Sequence, residues 1–461
     1  MSARSLIRET SPAARKARRV RSASLGAGVG AFGRAAAAGL FLWATSSAAP
    51  LAAQSTIPGS QGGTFLIRGG TVVVAPGRVL EGASVLIRDG RIAAVGRDVG
   101  DAAGATVIDA SGKYVYPGMI DSGSTLGLYE IGSVAGTLDI SEMGRFNPHL
   151  RALTAVNPHS ELIPVTRVNG VTTAIVQPSG GVISGQAALV RLDGWTPKEM
   201  GLRAPAALVI RYPRAGGFGF GGGGGPGGGQ GQQQVERSVQ ELRDFLEEAR
   251  QYHRVRSAGA GRLDPVLEPL RPIFEGEVPV LFEADTPDQI RGAIEIADAF
   301  GLRMILGGAR EAWKLADTLA ARGIPVILGP LTTLPGSDSP YDELYAQPGV
   351  LHRAGVKIAF ASGSAVNSRN LPYEAALAVA YGLPAEAAWR ALTVNPAEIW
   401  GVADEVGTIE VGKSADLFVA TGDPLDVRTQ VVEVFIAGRR VPMTDRHTEL
   451  YRKFSERPRP Q

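Results

Sequence analysis

A chain of 461 residues with 44% hydrophobic and 20% charged residues and a mean hydropathy of +0.04 carries enough apolar material for a large core, which excludes a disordered protein. Sixty glycines and thirty prolines exclude a helical bundle and point to many tight turns between short elements. The pI near 8.8 comes from one end only, since residues 1–53 hold eight basic residues and one acid while the remainder holds 39 basic and 44 acidic residues; nucleic acid is therefore not an expected partner.

Those first 53 residues read as an export signal: a basic stretch through Arg21, an apolar run at 35–43, then small residues ending in Ala52-Ala53-Gln54. Cleavage is expected near Ala53, which makes the mature chain secreted or periplasmic. The competing reading is a membrane anchor, but the run is well short of the roughly 20 apolar residues that span a bilayer. No membrane span is expected in the mature chain. Arg18-Arg19 is followed by Val-Arg-Ser-Ala, a poor continuation for twin-arginine export. The chain has no cysteine, which excludes disulfides, thiolate metal sites and a cysteine nucleophile.

Short β patterns follow at 65–68, 71–74, 83–88 and 91–95, punctuated by Gly69-Gly70, Pro76-Gly77 and Asp89-Gly90. The Asp-Gly pair is a hairpin signal. A second β-rich stretch lies at 407–412, 415–420 and 431–436. Each stretch is small for a domain, and together they suit one composite β-sandwich, 54–117 with 400–445, with the rest of the chain inserted between them.

The middle, 118–399, carries apolar runs without alternation at 171–176, 278–282, 303–306, 325–328 and 357–360, with helical patterns between them. Such strands belong to a parallel sheet covered on both faces. One helix is well marked: Thr286 is its N-cap, Pro287 follows, Ile290, Ala293, Ile294, Ala297 and Phe300 form its apolar face, and Gly301 ends it. Repeating βα units over about 270 residues predict an α/β fold, a (β/α)8 TIM-like barrel. Residues 215–234 are glycine-rich and of low complexity. Without a flanking Lys or Ser/Thr motif they read as a flexible insertion and not as a phosphate cradle. The helix after them, 235–255, has one apolar side, and 446–461 reads as a C-terminal tail.

In such barrels chemistry sits at the C-terminal strand ends. A zinc site there needs about three His or carboxylate ligands and an open position for water. None of the five histidines, His149, His159, His253, His352 and His447, falls at a strand end, and each suits a surface or packing role. Two polar, glycine-punctuated segments, 147–162 and 177–186, suit either the lining of a small-molecule pocket or simple turns. Asn157, His159, Ser364 and Asn367 are the candidate substrate-binding residues.

The motifs Tyr116-Pro-Gly-Met-Ile-Asp121, Asn169-Gly-Val-Thr-Thr173, Leu392-Thr-Val-Asn-Pro-Ala397 and Gly407-Thr-Ile-Glu-Val-Gly-Lys-Ser-Ala-Asp-Leu417 resemble the amidohydrolase superfamily, especially its imidazolonepropionase-like branch, over about residues 64–442. The resemblance implies a barrel with a composite β-sandwich and metal-dependent hydrolysis of non-peptide C–N bonds, with N-acyl amino acids or dipeptides as substrates of some relatives. It also implies a divalent metal, zinc, bound by His-x-His after the Asp of the first motif, by later strand-end histidines and by a final aspartate. Those ligand positions are occupied here by Gly123, Thr125, Glu283, Gly308 and Gly363. Glycine donates nothing to a metal, so zinc is expected to be lost or weak and the family's metal-bound water absent. Asp121, Glu283 and Asp285 remain as candidate catalytic carboxylates, for acid/base work or to hold Mg²⁺ or Ca²⁺ through oxygen. Their structural alternatives are loop organisation by Asp121 and helix capping by Asp285 and Thr286. Two functions follow as expectations: altered hydrolysis through those carboxylates, or a non-catalytic binding or partner subunit, in a homo-oligomer or beside a metal-competent related barrel.

Overall fold

The computed structural model describes residues 59–100, 103–214, 230–334 and 340–457. The export signal lies outside the described residues, as does most of the glycine-rich segment. The Gln232-Gln-Gln234 end of that segment belongs to a helix, Gln230–Ser257.

Two eight-stranded sheets organise the chain. The first joins β1 (Phe65–Ala75), β2 (Arg78–Arg88), β3 (Arg91–Gly96), β4 (Thr106–Asp109) and β5 (Tyr114–Pro117) to three C-terminal strands. The two patterns expected at 65–68 and 71–74 are one strand. The ladder of β1 with β2 is irregular from Ile67 to Gly70, and β1 pairs β4 on one side of that irregularity and β5 on the other. Gly69 has φ +74°, a left-handed conformation that suits glycine in a bulge. Asp89 and Gly90, at φ 52° and 79°, make the hairpin turn between β2 and β3 with the two positive angles that an Asp-Gly turn supplies.

The second sheet is the barrel wall: β6 (Met119–Ser124), β7 (Val171–Val176), β8 (Ile183–Arg191), β9 (Gly201–Arg211), β10 (Val280–Ala284), β11 (Met304–Gly308), β12 (Val326–Leu328) and β13 (Ile358–Phe360). All neighbours are parallel except β8, which pairs antiparallel with β7 and β9. The barrel therefore departs from the eight parallel strands of the expected pattern at one strand. The connections on either side of β8 are too short to hold a crossover helix. Its buried residues include Ile183 to Gln186, so the second half of the 177–186 segment is a wall strand, and Gln186 lines a cleft of about 270 Å³ with Arg151 and Pro205.

The lumen is filled by side chains such as Ile120, Ile175, Leu189, Val209, Leu281 and Ile327, with Trp400 packed against them. Arg203, near the start of β9, donates to the Gly401 carbonyl at 2.9 Å, which places Trp400 at the N-terminal end of the barrel. The lumen is thus closed below, and the C-terminal end is left for a site.

The C-terminal strands β14 (Leu417–Ala420), β15 (Val431–Ile436) and β16 (Arg439–Arg440) join the first sheet through β14, which pairs antiparallel with β5. Tyr116 stacks between Trp389 at 4.6 Å and Phe418 at 5.5 Å between ring centroids, tying sheet to barrel. The 446–461 tail contains a helix, Arg446–Ser455, capped by Asp445.

The Pro287–Phe300 helix forms as the sequence predicts. Thr286 accepts from the Gln289 N–H, Gln289 returns the bond, and Gly301 closes the helix at φ +66°. Thr286→Ala is expected to cost about 1 kcal/mol by urea unfolding, the usual loss for a helix cap.

Candidate functional site

The C-terminal end of the barrel holds one polar cluster facing the mouth. Glu283, on β10, receives the Gln177 amide on Oε1 at 2.9 Å. Its other oxygen, Oε2, lies 3.0 Å from Arg211 Nε at the end of β9. Burial pushes the Glu283 carboxyl up, the Arg211 charge opposes that, and the Asp285 charge adds to it. The Glu283 side chain is still 28% exposed, so it reaches solvent at the mouth.

Asp121 does different work. It is completely buried, and its carboxylate accepts from the N–H groups of Gly123 at 3.2 Å and Ser362 at 2.9 Å and from the Ser362 hydroxyl at 2.5 Å. Ser368 continues the network to Ser362 at 3.1 Å and to Ser124 at 2.7 Å. The Gly363 N–H donates to the Gly123 carbonyl at 2.9 Å. The strands β6 and β13 are the two ends of the barrel sheet and share no ladder, so this network closes the seam between them. Burial raises the Asp121 carboxyl to about 6 against the pull of its hydrogen bonds.

The remaining candidates are placed as follows. Asp285 lines a cleft of about 160 Å³ with Gly308, Arg310 and Gln347 beside the mouth. Its backbone N–H is taken by Gln289 at 2.9 Å, so the helix-capping reading holds for its main chain. None of the hydrogen bonds of Asp121 reaches Glu283 or Asp285; the three carboxylates form no single constellation. Ser364 and Asn367 sit on the loop after β13, where the Asn367 N–H donates to Ser364 Oγ at 3.4 Å and the Ser364 carbonyl accepts from Ser368.

His159 falls elsewhere. Asn157 accepts from the His159 N–H at 3.0 Å, and the His159 ring meets Trp195 edge-on at 5.3 Å. Trp195 follows Arg191, which pairs with Thr173 near the start of β7. His159 therefore lines a flank cleft of about 330 Å³ with Arg167 and Asp193, and its mouth reading is corrected: the reversal of β8 carries its following loop to the opposite end of the wall, whereas the Asn157 N–H donates to the Gly127 carbonyl, in the loop after β6, at 2.8 Å. His149, His352 and His447 are exposed. His253 sits 3.7 Å from Glu275 on the Gln230–Ser257 helix.

The donor set does not fit a zinc ion. Gly123, Gly308 and Gly363 offer no side chain, and Thr125 Oγ1 accepts from the Ala365 N–H at 3.2 Å. The space is also taken. A Cβ at Gly123 would stand 3.2 Å from the Ala361 methyl and 3.4 Å from Gln177 Oε1, one at Gly308 (φ +73°) 2.7 Å from Asp285 Oδ1, and one at Gly363 (φ +71°) 2.7 Å from Pro330 Cδ. Among the described residues no group of three or more His, Cys, Asp or Glu side chains is placed to hold a metal ion. Glu283, the one strong donor, already faces a guanidinium.

Arg211 was not singled out by sequence reasoning, and Gln177 entered it only as the first residue of the 177–186 segment. The available signal was their place as polar residues directly ending apolar runs, at the strand ends where barrel chemistry sits.

A sequence profile of the Amidohydrolase family matches residues 334–441. An amidohydrolase of known structure from Thermotoga maritima is 28% identical, superposes with a TM-score of 0.73, and covers 82% of this chain and 99% of its own. Amidohydrolase tasK of Hapsidospora irregularis is 26% identical over 366 residues, covering 72% of this chain. An adenine deaminase of Rubrobacter xylanophilus is 49% identical over 70 residues, 14% of this chain. The match spans 37% of the length of tasK and 12% of that of the deaminase. The chain belongs to the amidohydrolase superfamily, a family of hydrolases of carbon–nitrogen bonds.

No described helix is long and apolar enough to cross a membrane.

Proposed function

We propose that this chain is a member of the hydrolase family that binds a small polar ligand at its barrel mouth without zinc-activated water, as a binding or partner subunit beside a metal-competent relative. One observation carries the reading: the Gln177–Glu283–Arg211 cluster fills the place where ligands to a metal would converge, while Gly123, Gly308 and Gly363 supply none. A nearby guanidinium also repels a divalent cation, at a range where Coulomb energies are several kcal/mol (about 4 kcal/mol per charge pair at 4 Å and an effective dielectric of 20). The expected result is that elemental analysis of the purified protein, prepared without added metal, finds zinc far below one equivalent. Stoichiometric zinc overturns the reading. Co-purification of a second barrel chain carrying His-x-His supports the partner role.

A second reading rests on Glu283 itself. A carboxyl pushed up by burial yet open to the mouth suits general acid/base work, with N-acyl amino acids or dipeptides as the substrate class. Hydrolysis of such a panel that disappears in Glu283→Gln, with no metal present, decides for it. Export is part of the proposal as well: the mature protein is secreted or periplasmic, and N-terminal sequencing is expected to place its start near Gln54.

A further inference from the structure

We infer that Arg211 is the resident cation of the mouth and that it receives the carboxylate of a small ligand in competition with Glu283. This deepens the reading of a metal-free binding site and rests on it. The geometry is that of a held but exchangeable pair. Glu283 is gripped at its two oxygens by different groups, Gln177 on Oε1 at 2.9 Å and Arg211 on Oε2 at 3.0 Å. A ligand oxygen that takes the place of Oε2 leaves Glu283 still anchored by the amide.

The chemistry favours exchange. Guanidinium is a planar fork of N–H donors that can match a carboxylate with two parallel bonds, and Glu283 Oε2 meets it at Nε. Burial already disfavours the charged form of Glu283. When a ligand carboxylate enters, Glu283 takes up a proton from solvent; the site then exchanges one carboxylate for another with its net charge unchanged. Both partners lie near the surface of the mouth, with side chains 19% and 28% exposed. Gly307, whose absent Cβ would lie 3.9 Å from Glu283 Cγ, leaves backbone beside the pair.

The test uses the full mature protein and two probes, N-acetylglycine and its neutral amide N-acetylglycinamide, by isothermal titration calorimetry. The acid is expected to bind at least tenfold more tightly than the amide. Arg211→Gln is expected to lose that preference, Arg211→Lys to keep part of it, and Glu283→Gln to bind the acid several-fold more tightly because the competing charge is gone. Equal binding of the two probes, an unchanged Arg211→Gln, or weakened binding in Glu283→Gln overturns the inference. So does a failure of the acid to bind, in which case the metal-free reading still stands or falls on the zinc analysis. If Arg211→Gln does not fold, the probe preference in the unaltered protein and the direction of the Glu283→Gln change decide.

Discussion

Wild-type protein is expected to lose about 2.4 kcal/mol of stability relative to Asp121→Asn as the pH rises from 4 to 7, most of the full linkage. The folded carboxyl titrates at about 6 against an ordinary 3.8, so the folded state binds the proton more tightly than the unfolded chain. The resulting stabilisation is fully present below the unfolded value and is lost as pH rises through about 6. At roughly 1.4 kcal/mol per pH unit of difference, the total is about 3 kcal/mol. Asparagine does not titrate, and it keeps an acceptor oxygen for the N–H groups of Gly123 and Ser362. Urea unfolding of both proteins at pH 4 and pH 7 makes the measurement; a difference between them that does not move with pH refutes the seam assignment. Asp121→Ala is a harsher change. It strands two buried N–H donors and takes one partner from the Ser362 hydroxyl, and is expected to cost about 3–5 kcal/mol at either pH.

Trp400→Ala carries the other large effect. Trp400 is among the largest fully buried side chains, it closes the lumen, and its indole N–H donates to the Ser122 hydroxyl at 3.3 Å. Truncation opens a cavity under the site and leaves that hydroxyl unpaired, for an expected loss of about 3–5 kcal/mol. Trp195→Ala is the matched control. Trp195 is 39% exposed and is expected to cost less than about 1 kcal/mol. Equal losses at the two positions would show that the lumen is not packed as described.

The parts of the fold that were legible in the sequence are those fixed by local chemistry. The Thr286-Pro287 start and Gly301 stop of one helix, the Asp89-Gly90 turn and the apolar runs of β7, β10 and β13 each answer to steric and capping rules acting over a few residues. β8 and β9 were not legible. In β8 and β9 the apolar residues are mixed with Gly185, Gln186 and Pro205, and the antiparallel pairing of β8 is a property of its neighbours. That reversal also moved His159 from the expected mouth to the flank, through the loop bearing Trp195.

The candidate site divides along the same line. That Gly123, Gly308 and Gly363 bring no ligand to a metal is determined by the sequence alone, because no fold gives glycine a donor side chain. That Gln177 meets Glu283 across 106 residues and Asp121 meets Ser362 across 241 was decided only by tertiary structure. Neighbours at a barrel mouth are set by the register of adjacent strands and by which strands end the sheet, and neither is encoded in the spacing of residues along the chain.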